Sequence, residues 1–434
     1  MGITSITHQI KSFAPLDKST FQGLKNAIGP GLIMAAAAIG VSHLVQSTRA
    51  GAEFGFALVW AVVLANFFKY PFLQYGPRYA LATGKNMIEG YANMAKWALW
   101  IFIIFTVSTM FAVHAAVTMV TASLAGSLTG LQIPLLAWSA IILVASILYL
   151  VRNTYALLDK AIKVLMVILA FSTLAAMAAA FLNVGYEPKS EILAPDVWTV
   201  SGVAFLIALM GWMPIPIDAA AWQSIWSVER MKQTGYRPKL KEVLFDFNLG
   251  YIGAAIIALA FLTLGALVMY GSGEDFATSA AGFANQFIHL YTTALGDWAY
   301  FIIIICAFTT MFSTTLTVTD TYPRVLTNIV ENIQRPGAGR DMKALYAYLL
   351  VGVSAGTLVL LLVLGDQFRF LIDLATTLSF LAAPVLAFMN HKLIHQPEVP
   401  REYQPARWLY WLSISGIIFL TIFALIYLYW MTLY

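Results

Sequence analysis

Apolar residues recur in runs of about 20 along most of this chain. The runs are separated by short stretches that collect Gly, Pro, Lys and Arg. A helix of that length crosses the roughly 30 Å hydrocarbon core of a bilayer. An outer-membrane β-barrel would instead alternate apolar and polar positions over segments of about ten residues. The pattern predicts an all-α polytopic membrane protein with eleven transmembrane helices. Their expected ranges are 31–49, 54–81, 97–124, 133–151, 155–182, 203–226, 244–270, 298–320, 344–364, 370–389 and 407–430.

Two of these spans are expected to be discontinuous. The first begins as "GLIMAAAAIG" and then meets Gly40-Val41-Ser42-His43, followed by Gln46 and Arg49. The sixth contains "GWMPIPIDAAAW", with Pro214 and Pro216 two residues apart. Each proline removes a backbone donor and clashes with the preceding turn, so the pair should unwind the helix. Irregular backbone at membrane depth persists only in a protein interior or around a wet cavity. Breaks in spans one and six match two five-helix halves that each open with a broken helix, the sequence pointer to a secondary transporter's central site. The expected organisation is an arm over 1–30, halves over 31–183 and 184–390, and a loop with the last helix over 391–434. A glycine at a close helix contact is the plainer explanation of Gly40.

Composition agrees. The 434 residues are 60% hydrophobic and 11% charged, against about 25% charged in soluble domains. The net charge of +4 is spread over membrane-flanking loops, so no nucleic-acid partner is implied. With the N-terminus inside, the inner loops hold Arg78, Lys85, Lys96, Arg152, the cluster Arg230 to Lys241, Arg324, Arg335, Arg340, Lys343, Lys392, Arg401 and Arg407. The outer loops hold little beyond Arg49, Lys189 and Arg369. That asymmetry places the N-terminus in the cytoplasm and the C-terminus outside, and the short loops suit a bacterial inner membrane. The N-terminal stretch lacks the basic, apolar and cleavable order of a signal peptide. The single cysteine, Cys306, excludes an internal disulfide and a cysteine metal cluster. Neither a nucleotide loop nor an HExxH pattern is present, so no enzyme, pump or cofactor is expected.

Three stretches carry a family resemblance: "GPGLIMAAAAIGVSH" from Gly29, "AGAEFGFALVWAVVLAN" from Ala50 and "RYALATGKNMIEG" from Arg78. Together they resemble the start of the NRAMP (SLC11-like) divalent-metal transporters. "YALLDKAIKVLMVIL" and the Met213-Pro214 pair continue it weakly. The resemblance implies a LeuT-like 5+5 inverted repeat, alternating access and metal-ion symport. It also marks departures. The family's Asp-Pro-Gly-Asn in helix one aligns with Gly40, Val41, Ser42 and His43, so the metal-binding aspartate is a glycine here. Its Met-Pro-His in helix six is Met213, Pro214 and Ile215. Its acidic proton route in helix three has no counterpart, since no acidic residue lies between Glu89 and Asp159.

The candidate substrate-binding residues are therefore Gly40, Ser42, His43, Gln46, Trp212, Met213, Ile215 and Asp218. First-row metals favour imidazole, carboxylate or soft sulfur ligands, so His43, Met213 and Asp218 form a conceivable manganese or iron site. The tryptophans Trp212, Trp222 and Trp226 suit an organic cation or a small apolar solute instead, with Trp226 better explained as an interface anchor. In helix eight, Thr310, Ser313, Thr314 and Thr317 share a face and, by the resemblance, suit a coupling sodium. Bonding to their own helix carbonyls is the plainer alternative. Buried ionisable groups are costly and functional by default. Lys69 calls for a partner, with Asp218 or Asp320 the expected carboxylate. His114 suits a proton relay or a packed neutral ring. Asp373 suits an outer gate, Asp246 a cap or ion pair, and Asp366 a solvated loop. The expected partners are a small solute or cation, a coupling H+ or Na+, and membrane lipid. Three functions compete: a transporter with a remodelled centre, a metal–proton symporter with substitute ligands, and a non-transporting receptor or scaffold.

Overall fold

The computed structural model describes residues 23–24, 26–152, 155–183, 196–334, 341–365 and 367–433. Most of the expected N-terminal arm lies outside them, as do Lys189, Arg335, Arg340 and Asp366. The described residues form 15 α-helices and no strand. In chain order they are α1 Pro30–Ala38, α2 Ser42–Phe54, α3 Val59–Thr83, α4 Met87–Met94, α5 Lys96–Thr129, α6 Leu135–Arg152, α7 Tyr155–Asn183, α8 Val200–Trp212, α9 Ala219–Thr234, α10 Leu240–Met269, α11 Ala280–Leu295, α12 Tyr300–Ile333, α13 Met342–Leu364, α14 Phe368–Ile394 and α15 Arg407–Leu433.

Seven of these are long and apolar enough to cross a membrane unbroken, and the pair α1–α2 makes an eighth, bent by 47°. The polar α3, the helix α7 and the pair α8–α9 complete the eleven expected spans. Several boundaries differ from expectation. Span one continues to Phe54, and span two starts at Val59 after a turn at Gly55. Span eight runs to Ile333 through Pro323. Two helices too short to span were not anticipated. α4 is capped by Asn86, whose side chain accepts the Ile88 and Glu89 amides at 3.0 and 3.1 Å. α11 is capped by Ser279 and buries Phe283, Phe287, Leu290 and Tyr291 at helical spacing.

α10 splints the broken first span. The Asp246 carboxylate accepts the amides of Gly29 and Gly31 at 3.0 and 2.6 Å. It thereby satisfies donors that α1 leaves unpaired at its start, so Asp246 does cap, but another helix. Eight residues on, the Ala254 carbonyl meets His43. Eight further, the Leu262 carbonyl would lie 1.9 Å from a Cβ on Gly51. Only glycine permits that approach. Each step of eight residues turns the α-helix by about 80°, so the two halves of span one wind around α10 as they run along it.

Candidate functional site

α8 stops at Trp212 because Pro214 and Pro216 have no amide hydrogen to offer its last carbonyls. The Met213–Pro214 peptide is cis. The chain turns through Ile215 and Ile217 and re-enters a helix at Ala219, with the half-buried Asp218 at the start of α9. Lys69 of α3 reaches this gap. Its ammonium donates to the carbonyls of Met210 at 2.6 Å, Gly211 at 2.7 Å and Ile215 at 3.5 Å. The expected carboxylate partner is thus replaced by backbone oxygens. Asp218 acts on Lys69 only as a neighbouring charge, and Asp320 is engaged elsewhere. Trp212 donates its indole N–H to Ser379 of α14 at 2.9 Å. The Met213 sulfur accepts the Ser47 hydroxyl at 3.6 Å. That contact brings the gap of span six against α2.

The interruption in span one is shorter than expected. It covers Ile39 to Val41, and Ser42 to Ser47 already form a π-helical turn. His43 is fully buried and faces α10, not the gap of span six. Its Nε2 lies 2.9 Å from the Ala254 carbonyl and its Nδ1 lies 2.8 Å from Ser42 Oγ. A carbonyl only accepts, so Nε2 carries the proton and Nδ1 faces the serine. Ser42 also bonds the Ala38 carbonyl at 2.6 Å. Gly40 abuts Thr314, with a Cβ there lying 2.8 Å from the threonine Cγ2. Gln46 points along the gap, donating to Asp373 at 3.2 Å and Thr376 at 3.5 Å. Its Oε1 is buried without a partner.

The remaining candidates scatter. Thr314 donates to the Ala36 carbonyl at 2.9 Å, which ties α12 to α1. Thr317 bonds the Ser313 carbonyl at 2.9 Å within its own helix. Ser313 and Thr310 are buried nearby, the latter with an unpartnered hydroxyl. Asp320 pairs with Arg324 at 2.6 Å and accepts the Tyr346 hydroxyl. His114 lies between Thr319 at 2.9 Å and Thr357 at 3.0 Å, packed among α5, α12 and α13. Trp222 meets Tyr322 edge-on at 5.5 Å, and Trp226 is buried in the core instead of anchoring an interface. Among the described residues, no three His, Cys, Asp or Glu side chains converge as a metal would require.

At one end of the central gap lies an ion network that the sequence only half disclosed. Arg49 of α2 grips Asp373 of α14 through two bonds of 3.0 Å. It also pairs with Glu53 at 3.1 Å and stacks 4.5 Å above Phe205 of α8. Arg369 reaches Glu53 at 3.5 Å. Arg49 was expected in a loop, although Glu53 four residues on was a legible helical partner. At the other end, a cavity of roughly 1010 Å³ opens between α4, α9, α12 and α13, lined by Glu89, Glu229, Lys232 and Arg324 among others.

Two broken spans, a polar interior between them and an ion-paired rim define an integral membrane protein of the LeuT-like, inverted-repeat transporter fold. The chain belongs to the Natural resistance-associated macrophage protein-like (Nramp) family of transporters, whose family model matches residues 31–430. It is 33% identical over 429 residues to the uncharacterized protein PM0681 of Pasteurella multocida, covering 98% of this chain and 96% of that one. A solved Eremococcus coleocola manganese transporter superposes with a TM-score of 0.70 at 16% identity, over 95% of this chain and 88% of its own. MhsT in complex with L-phenylalanine gives a TM-score of 0.63 at 14% identity, over 92% and 98%.

Proposed function

We propose that this protein is a secondary active transporter with a central site remodelled away from transition metals. The reading places it in a bacterial inner membrane with the basic loops and N-terminus in the cytoplasm and the C-terminus outside. The 1010 Å³ cavity then faces the cytoplasm, and the Arg49–Asp373 rim faces outward. The halves 31–183 and 184–390 move against one another in alternating access. The cargo is a small solute that does not require a ring of anionic ligands, driven by a proton or sodium gradient.

One observation carries the reading. His43, which stands where the family resemblance puts a metal ligand, donates Nε2–H to the Ala254 carbonyl, has Nδ1 against Ser42 and faces α10. Gly40, in place of the resemblance's aspartate, offers no carboxylate and has Thr314 against it. The matching solved structure is described as a manganese transporter, so manganese is the cation to test. Purified protein titrated with Mn2+ by calorimetry is expected to give no saturable heat, under conditions where the Eremococcus coleocola protein does. Saturable binding that is lost in His43→Ala and Met213→Ala would establish instead a metal–proton symporter using His43, Met213 and Asp218. For the remodelled reading, a panel of small organic solutes should include some that raise the melting temperature. Liposomes carrying the protein should accumulate such a solute under an imposed gradient, and absence of flux for every stabilising solute would favour a receptor or scaffold.

A further inference from the structure

We propose that the Lys69 ammonium is the transporter's own cation, permanently held at the broken end of α8 where a free cation would otherwise bind. This inference rests on the remodelled-centre reading and says what replaced the lost cation.

A helix end leaves its last carbonyls without amide partners, and the summed peptide dipoles put about half a negative charge there. At the end of α8 the deficit is built in, because Pro214 stands where the amide for the Met210 carbonyl belongs. Water could solvate such oxygens at a surface, but at membrane depth they must find a partner within the protein or a bound ion. Half-helix ends in broken-helix transporters serve as cation sites for that reason. Here the oxygens of Met210, Gly211 and Ile215 are taken at 2.6, 2.7 and 3.5 Å by one ammonium.

The stoichiometry leaves nothing over. An ammonium has three hydrogens and no acceptor, and each hydrogen has a carbonyl. Lys69 is fully buried and forms no carboxylate ion pair within 4 Å among the described residues, so its charge is balanced by carbonyl dipoles and, at longer range, by Asp218. It therefore has no donor to offer a substrate carboxylate, and it holds the three carbonyls, of Met210, Gly211 and Ile215, that a free cation at this helix end would use. The lysine is also held in register. Two turns along α3, a Cβ on Gly76 would lie 2.2 Å from the Ala220 carbonyl of α9. α3 thus touches both halves of span six, and Lys69 plugs the gap between them.

Removing the side chain but not the carbonyls should convert the tethered cation into a vacant cation site. Lys69→Ala and Lys69→Gly, purified in N-methylglucamine chloride, are expected to melt below the wild type. Methylammonium chloride at equal ionic strength should raise their melting temperature saturably, by roughly 2 °C or more. Potassium should act in the same direction. Tetramethylammonium, which has no hydrogen to donate, should not. The wild type should respond to none of them. Equal responses of a variant to all three salts, or no response to methylammonium, would overturn the proposal. Should neither variant survive extraction, the wild type alone still decides. Its melting temperature is expected to be unchanged when potassium replaces N-methylglucamine, and a specific rise of roughly 2 °C or more would mean that the centre still needs a free cation. The manganese titration separates the two readings. Manganese binding to the wild type defeats the remodelled centre itself, whereas a manganese-silent wild type with unrescued variants defeats only the assignment to Lys69.

Discussion

Asp373→Asn isolates the ion-paired rim. The carboxylate accepts two bonds of 3.0 Å from Arg49 and one of 3.2 Å from Gln46. Asparagine keeps the volume and one acceptor oxygen but loses the charge, while Arg49 keeps Glu53 at 3.1 Å. Hydrogen bonds to charged groups contribute about 1.5–3 kcal/mol when well buried, and exposed ion pairs about 0–1 kcal/mol. With the two side chains 12% and 36% exposed, the loss should fall near 1–1.5 kcal/mol, roughly a five- to tenfold change in an equilibrium constant. The pair joins α2 to α14, so the shift should favour separation of these helices at the Arg49 end of the gap. Thr376, fully buried one turn below Asp373, is the reporter. The only native cysteine, Cys306, is buried, so a Thr376→Cys variant can be labelled with a membrane-impermeant maleimide over a quiet background. If opening is fast, the labelling rate follows the open fraction and should rise about five- to tenfold in Asp373→Asn. Salt at 1 M should speed labelling of the parent and scarcely change the variant, because the charge that salt screens is already gone. An unchanged or slower rate in Asp373→Asn would show that the pair does not hold that end of the gap shut.

Three further outcomes follow from the contacts described. Gly51→Ala drives a methyl into the Leu262 carbonyl and should cost at least about 2–3 kcal/mol, read as a lower melting temperature and poor yield, whereas Gly253→Ala, which meets nothing within 4 Å, should cost far less. Asp246→Asn weakens the cap on Gly29 and Gly31 and should destabilise by about 1–3 kcal/mol, again seen in thermal unfolding; stability equal to wild type would refute the trans-cap. Gly40→Asp, which restores the carboxylate of the family resemblance, should not by itself create manganese binding in calorimetry, because Thr314 occupies the space.

How much of this was legible in the sequence depended on which atoms carried the signal. The gap in span six was plain, since two prolines declare missing donors without any knowledge of neighbours. Gly40 disclosed a break but not its length. The π-helical turn from Ser42 to Ser47 is a choice of hydrogen-bond register, and "SHLVQS" is compatible with an α-turn as well. Lys69 was recognisable as a buried charge, yet its partners are backbone oxygens, which every residue owns and no sequence pattern marks. The same blindness applied to His43, whose residue type suggested a metal ligand while its direction was decided by the Ala254 carbonyl. α4 and α11 announced themselves through Asn86 and Ser279 as caps, but a search for runs of membrane length passes over helices of 8 and 16 residues.

The reliance of span one on α10 also has a temporal side. His43 precedes Ala254 by 211 residues, which at about 5–20 residues per second is roughly 10–40 s of synthesis. During that interval the nascent first span has neither the Asp246 cap nor the histidine latch, and its irregular backbone sits in lipid unaided. A released chain truncated before residue 240 should therefore keep its first span loosely inserted and open to protease, and one truncated after residue 270 should protect it.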